Sequence, residues 1–296
     1  MKIFVTGATG YIGKNLLKEL FAEGHDVSVS LRAGKESPFE SQIQTFNIDE
    51  ENIERTIDFF KQEKFDGVIH LASLYIKQHT SEEVFELINS NVRFSTHVLE
   101  SAAKADIPWF INTGTFWQNF ENKHYSPVNL YAATKQAFES IAQFYIETDQ
   151  VKFVTLRLSD TYGPNDPRPK ILNRLNQIAE SGEELGMSGG EQIMDICFID
   201  DVASAFIQLA KNLEIDSDLI SNGEVYGVSA DVRLSLRELV SLFQDVTGKQ
   251  LKINWGFYPY KDREVMVPWD NSKNVSKWSP KVDLREGLRL LFKNKD

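Results

Sequence analysis

The sequence predicts an α/β protein, a doubly wound parallel sheet with a smaller C-terminal lobe interleaved with its end. Three observations predict it. Short apolar runs alternate with amphipathic helical patterns through the first half of the chain. A glycine-rich turn stands directly between the first run and the first helical pattern. The 296 residues, 42% hydrophobic and 25% charged, suffice for one large core with a small lobe attached.

The first run, Ile3–Val5 within Lys2-Ile3-Phe4-Val5-Thr6, suits a short buried strand. Gly7-Ala8-Thr9-Gly10-Tyr11-Ile12-Gly13 follows, and Tyr11, Ile12, Leu16, Leu17, Leu20 and Phe21 then recur at helical spacing over about 11–23. Strand, glycine turn and helix N-terminus together make a dinucleotide site. Gly7 permits the turn, Gly10 lets the backbone approach a pyrophosphate, and Gly13 lets helix pack on strand. The spacing is Gly-x-x-Gly-x-x-Gly, not the commoner Gly-x-Gly-x-x-Gly.

Further runs lie at Asp26–Leu31, Gln44–Ile48, Gly67–Ala72, Pro108–Asn112 and Phe153–Leu158, with helical patterns at about 51–63, 82–104 and 127–147. Right-handed crossovers between them place the ligand at the carboxyl ends of the strands. Ser126 as N-cap and Pro127 at the first helical position signal the start of the last of these helices.

The regularity loosens after Tyr162-Gly163-Pro164-Asn165-Asp166-Pro167-Arg168-Pro169. A helix near 170–181, a glycine-rich loop through Gly190, and a helix entered at Cys197-Phe198-Ile199-Asp200-Asp201-Val202 are expected, with Asp200 or Asp201 as its cap. The tail carries Trp255, Tyr258, Tyr260, Trp269 and Trp278 at irregular spacing. Residues 1–165, with a returning segment of about 195–228, are read as a dinucleotide-binding domain, and 166–194 with 229–296 as a substrate lobe.

Tyr131 and Lys135 carry the chemistry. Four residues apart on a helix, phenol and ammonium share one face. A free tyrosine ionises near pH ~10, and a neighbouring cation favours the phenolate and brings it toward a useful acid/base range.

Composition excludes several classes. A formal charge of -11 and no dense basic run argue against a nucleic-acid surface. No apolar stretch approaches the ~20 residues of a membrane helix, and no signal-peptide pattern precedes the first strand. One cysteine, Cys197, forms no internal disulfide and fits a reducing cytoplasm. The five histidines lack metal-ligand spacing, so no metal is expected.

Taken together these motifs resemble an extended short-chain dehydrogenase/reductase of the nucleotide-sugar epimerase/dehydratase group, over nearly the whole chain. Val68-Ile69-His70-Leu71-Ala72 is similar to the fourth strand of that family, Asn112-Thr113-Gly114-Thr115 to the strand end supplying a catalytic Ser or Thr, and Arg157-Leu158-Ser159-Asp160-Thr161-Tyr162-Gly163-Pro164 to the segment between nicotinamide and substrate. Phe198-Ile199-Asp200-Asp201-Val202 and Leu234-Ser235-Leu236-Arg237-Glu238-Leu239 resemble late signatures of the same family.

The resemblance implies that Thr115 hydrogen-bonds the reacting sugar oxygen, with Thr113 the alternative, that Tyr131 transfers a proton, and that Lys135 binds the nicotinamide ribose while lowering the tyrosine's pKa. It implies cofactor contacts from Gly7, Thr9, Gly10, Tyr11, Ile12 and Gly13, from Asn47 and Ile48, from Leu71, Ala72 and Ser73, and from Thr113 and Leu158. The second strand ends without the acidic residue that bonds a ribose 2′-hydroxyl. Leu31 takes that place, and Arg32 and Lys35 follow, either as a clamp for a 2′-phosphate or as solvated loop charges. NADP is therefore favoured over NAD.

On the substrate side the expected contacts are Thr115, Phe116 and Asp160, with Lys170, Arg174 and Arg263 as candidates for a sugar-nucleotide diphosphate. Met194 stands where the family often has Arg. Phe116, Trp117 and Gln118 follow Thr115 in place of the acidic pair that dehydratases of the group use to eliminate water. The stretch from Asn112 to Gln118, with Asn129 to Lys135, looks most like the CDP-abequose and CDP-paratose synthases, reductases of a nucleotide-linked 4-keto-deoxysugar. A 4-epimerase holding NAD shares the same catalytic residues. A reductase of a non-nucleotide carbonyl and a non-enzymatic binder on the same fold are further readings. Relatives are often homodimers, though no uniquely placed seam shows in this sequence.

Overall fold

The computed structural model describes residues 1–31 and 43–292. Arg32 and Lys35 lie outside the described residues. In chain order the elements are β1 (Lys2–Thr6), α1 (Tyr11–Ala22), β2 (Asp26–Leu31), β3 (Gln44–Asn47), α2 (Ile53–Glu63), β4 (Gly67–His70), α3 (Glu83–Ile88), α4 (Phe94–Lys104), β5 (Trp109–Thr115), α5 (Leu130–Glu147) and β6 (Lys152–Leu158). Then come β7 (Asp160–Tyr162), α6 (Ile171–Ser181), β8 (Glu184–Met187), β9 (Ile193–Met194), β10 (Ile196–Phe198), α7 (Ile199–Asp216), β11 (Val225–Val228), β12 (Leu234–Ser235), α8 (Leu236–Thr247), β13 (Lys252–Trp255) and α9 (Leu284–Phe292).

Seven strands form one sheet in the order β11-β6-β5-β4-β1-β2-β3, every neighbouring pair parallel. The chain runs outward from β1 through β2 to β3, then crosses back to β4 on the other side of β1. A crevice therefore opens at the carboxyl ends of β1 and β4, where the crossovers leave in opposite directions.

Strand alternation supplies two cores, one on each face. Ile3 and Val5 face α1 and α7, meeting Leu16, Leu20, Val202 and Phe206. Phe4, Val68, Phe110 and Phe153 face the other side, meeting Phe60 of α2, Val98 of α4 and Phe138 of α5. A third cluster joins Tyr162 and Phe198 to Leu172, Leu175, Leu239 and Phe243, packing α6 and α8 beside three two-stranded sheets. Burying each large side chain contributes roughly 1.5–3 kcal/mol.

The structure corrects the sequence reading at several ends. α5 begins at Leu130 and not at Pro127, with Asn129 as its cap, its Oδ1 accepting from the Ala132 amide at 3.0 Å. Ser126 is instead drawn into an extended pairing, its amide donating to Gln118 O at 2.9 Å while Val128 N donates to Trp117 O at 2.8 Å. The residue before a proline favours that extended form. Neither Asp200 nor Asp201 caps α7, whose N-cap is Phe198. Asp201 accepts from the amides of Lys281 and Val282 at 2.9 and 3.0 Å, tying down the C-terminal segment. β5 runs three residues past Asn112, because Thr113, Gly114 and Thr115 continue the ladder with Leu156, Arg157 and Leu158. Over 82–104 the helix is interrupted by a π turn at Asn89–Arg93.

Candidate active site

A cavity of about 960 Å³ opens at the carboxyl ends of β1, β4, β5 and β6. Its floor is the glycine turn. Gly7 has φ +71°, and a Cβ there would stand 2.6 Å from Ala72 N; a Cβ on Gly13 would stand 2.3 Å from Gly7 O. Only glycine fits at both points, so β1, β4 and the start of α1 meet backbone to backbone. Among the described residues no side chain caps α1. The first-turn amides thus remain available to an anion, reinforced by the helix dipole.

Tyr131 lies in the first turn of α5 and Lys135 one turn later, both on the cavity wall. Thr134 and Asn91 hold this turn in place. Asn91, fully buried in the π turn, donates to Thr134 Oγ1 at 3.0 Å and to Leu74 O at 2.9 Å, and its Oδ1 accepts from Leu74 N at 2.7 Å and Ser73 Oγ at 3.2 Å. It therefore pins the exit of β4 to α5. π turns of this kind commonly mark functional positions.

Lys135 is 1% exposed, and its ammonium has no hydrogen-bond or ion-pair partner among the described residues. Burial pushes its pKa down to about 8, with the Glu139 carboxylate working in the opposite direction. The Tyr131 phenol is pushed up to about 12 by burial, against the lowering effect of a hydrogen bond with Ser73. The expected depression of the phenol's pKa is thus not the balance found: burial outweighs the hydrogen bond with Ser73 and the Arg168 charge. A buried cation without a partner, facing a cavity, fits a polar ligand group that would complete it.

The two candidate threonines differ in what their hydroxyls do. Thr113 Oγ1 donates to the His70 carbonyl at 2.8 Å. Thr115 Oγ1 accepts from Trp117 N at 3.3 Å, which leaves its own O–H free to donate into the cavity. Phe116, 6% exposed, packs edge-on against Trp269 and also reaches the wall.

Gly7, Gly10, Tyr11, Ile12 and Gly13 line the cavity, as do Leu71, Ser73 and Leu158. The structure does not bring Thr9, Asn47, Ile48 or Ala72 to its wall. Ala72 N instead donates to Thr6 Oγ1 at 3.2 Å, and Asn47 ends β3 opposite Leu31. Lys170 and Asp160 both line the cavity but pair with one another at 2.5 Å, so that cation is already matched. Arg263 reaches the mouth, donating to Ser126 Oγ at 2.8 Å over the Phe120 ring. Arg174 is a correction. It stands exposed on α6, 3.5 Å from Gln177 Oε1, away from the cavity.

Sequence reasoning passed over Arg168 and Tyr75. Arg168 holds Asp166 through Nε and Nη2 at 2.7 Å each, donates to Thr161, and lies 4.7 Å over the Tyr11 ring. The Asp-x-Arg spacing between prolines was a visible signal for it. Tyr75 carried no local signal, because its place beside Tyr131 is set by how the chain leaves β4. His70, fully buried, lies between Thr6 Oγ1 at 2.8 Å and Ser95 Oγ at 2.9 Å. No group of His, Cys, Asp or Glu among the described residues could hold a metal ion, and no described helix is long and apolar enough to cross a membrane.

The parallel sheet, the uncapped glycine turn at its switch point and the phenol–ammonium pair beside it define an NAD(P)-dependent oxidoreductase. The chain belongs to the NAD dependent epimerase/dehydratase family, whose sequence profile matches residues 3–225. It is 27% identical to the CDP-abequose synthase of Salmonella muenchen over 100% of this chain and 98% of the relative. To the dTDP-D-glucose 4,6-dehydratase of Homo sapiens it is 28% identical over 78% of this chain and 68% of that one. A crystal structure of UDP-glucose 4-epimerase from Thermotoga maritima shares the fold, with a TM-score of 0.81 at 24% identity over 99% of this chain and 98% of that one.

Proposed function

We propose that the protein is an NADP-dependent reductase of a nucleotide-linked 4-keto-deoxysugar. The observation that carries this reading is the convergence of Tyr131, Lys135 and the uncommitted Thr115 hydroxyl on one cavity beside the glycine turn. Full-length similarity to CDP-abequose synthases supports the substrate class. The residues directly after Thr115 support reduction over elimination of water, since Phe116, Trp117 and Gln118 offer no carboxyl at those positions to act as general acid. Tyr75 and Trp117, ring centroids 5.8 Å apart, give the substrate side an aromatic surface suited to a sugar lacking some hydroxyls.

A nicotinamide cofactor held on the glycine turn would supply the hydride. Thr115 donates a hydrogen bond to the C4 carbonyl oxygen, polarising it and holding it in place. As charge builds on that oxygen, Tyr131 delivers its proton, leaving a phenolate that Lys135 stabilises and solvent reprotonates. The raised pKa of the phenol keeps it protonated and ready to donate at neutral pH. Leu31, ending β2 with no carboxylate, leaves a 2′-phosphate unopposed, and Arg32 with Lys35 would clamp it. The segments 166–194 and 229–296 then serve as the substrate lobe, with Arg263 at the mouth as the cation for the diphosphate.

The test follows NADPH oxidation with a CDP-linked 4-keto-3,6-dideoxyhexose, with NADH in a parallel arm and Tyr131→Phe as control. Turnover that needs NADPH and is lost in the variant is expected. Silence of the wild-type protein on keto sugars, with NAD retained through purification, would replace this reading by the 4-epimerase.

A further inference from the structure

We propose that Gln118 and Glu139 form a strut that fixes Thr115 relative to Tyr131 and Lys135, which makes both of them positioning residues. The inference rests on the roles proposed above for Thr115, Tyr131 and Lys135. Gln118, fully buried, accepts the Thr115 backbone N–H on Oε1 at 2.9 Å. Its Nε2 donates to Glu139 Oε1 at 2.9 Å and to Gln136 Oε1 at 3.0 Å. Glu139 lies one turn beyond Lys135 on α5. The strand end carrying Thr115 is thereby tied to the helix carrying the phenol and the ammonium.

The far end is anchored on β6. Arg157 Nη2 meets Glu139 Oε2 at 2.5 Å, and Nη1 donates to Asn119 Oδ1 at 2.6 Å. The guanidinium lies 5.3 Å over the Trp269 ring. Gly114 shows how tightly the strut passes: a Cβ there would stand 2.7 Å from Arg157 Cγ and 2.9 Å from Gln118 Oε1. An Arg–Glu pair could satisfy itself without touching the active site. The Gln118 branch is what carries it to Thr115, and a network with nearly all its groups partnered is rigid.

Glu139 has a second consequence, through its charge. Around Lys135 stand His70 on β4, neutral and fully buried, Tyr131 and Glu139 on its own helix, and Arg157 behind Glu139. Glu139 is the anion favouring the ammonium against burial. Neutralising it lets Lys135 lose its proton at lower pH.

Gln118→Leu, Glu139→Gln and Tyr131→Phe are to be compared by steady-state kinetics across pH, by NADPH affinity from tryptophan fluorescence, and by hydrogen exchange of the peptide containing Thr115. Gln118→Leu should lower kcat about tenfold while KM and NADPH affinity stay within about twofold. Glu139→Gln should do the same and also move the alkaline limb of kcat to lower pH, which Gln118→Leu leaves in place. Both should speed exchange of the Thr115 amide. Wild-type kcat in Gln118→Leu, or a change confined to KM, would overturn the strut. If Glu139→Gln fails to fold, as a buried Arg157 left uncompensated could cause, Gln118→Leu decides alone. Wild-type turnover in Tyr131→Phe would overturn the functional reading instead. A wild-type protein silent on the substrate does the same, and amide exchange then still decides the strut.

Discussion

Tyr75 stands edge-on to Tyr131, ring centroids 5.0 Å apart and planes 83° apart. The contact joins the loop leaving β4 to the first turn of α5 and shields one side of the phenol from water. It accounts for part of the desolvation that holds Tyr131 protonated, and it gives this side of the cavity an aromatic wall.

Tyr75→Ala should therefore weaken substrate binding more than it slows the chemical step. An aromatic contact of this kind contributes about 0.5–1.5 kcal/mol beyond buried area, so KM should rise roughly three- to tenfold. Tyr75→Phe keeps the ring and should leave KM near wild type. Steady-state kinetics on both variants check this.

The two threonines separate cleanly. Thr115→Val removes a hydroxyl with a free proton and should lower kcat by about 10- to 100-fold. Thr113→Val removes one that already donates to the His70 carbonyl. It should leave kcat within about threefold and lower stability by roughly 1 kcal/mol, measured by urea unfolding. The reverse pattern would transfer the polarising role to Thr113.

Lys135 sets a pH window. Its folded pKa of about 8 lies below the ordinary lysine value of 10.5, so its charge is lost as pH rises through about 8. Turnover that depends on the ammonium should fall along an alkaline limb there. Because the folded state binds this proton less tightly than the unfolded one, burying the charge lowers stability below that pH. Lys135→Met should thus raise Tm at neutral pH while abolishing activity, a combination that calorimetry and an assay read directly.

His70 predicts the acid side. Burial, and then the Lys135 charge, hold its imidazole well below the ordinary value of 6.5. The folded state keeps it neutral where the unfolded chain takes up a proton. Stability is therefore full above about 6.5 and falls as pH drops below it. His70→Asn should flatten that part of the stability–pH curve in urea titrations, whatever its effect at pH 8.

Cofactor choice is tested on the segment after β2. Arg32→Ala should raise the NADPH dissociation constant at least tenfold and leave NADH unchanged, since a guanidinium–phosphate contact contributes about 1.5–3 kcal/mol. Equal effects on both cofactors would remove the 2′-phosphate assignment.

The parallel sheet, the glycine turn and the Tyr131/Lys135 spacing were legible in the chain because each is a local pattern. Strand alternation, three glycines at intervals of three, and one helical turn between two side chains depend on nothing distant. The start of α5 was not legible, because Ser126 is claimed by pairing with Gln118, a residue in another segment. Asp201 likewise looked like a cap and proved to be an anchor for Lys281 and Val282, 80 residues on and beyond.

By itself, then, the sequence determined the fold class and which side chains could share a face. Tertiary structure alone decided which hydroxyl is free, which cations are already matched, and how far burial moves each proton. Those properties depend on what lies across the crevice, and hydrogen bonding and desolvation act through space between residues that the chain order keeps apart.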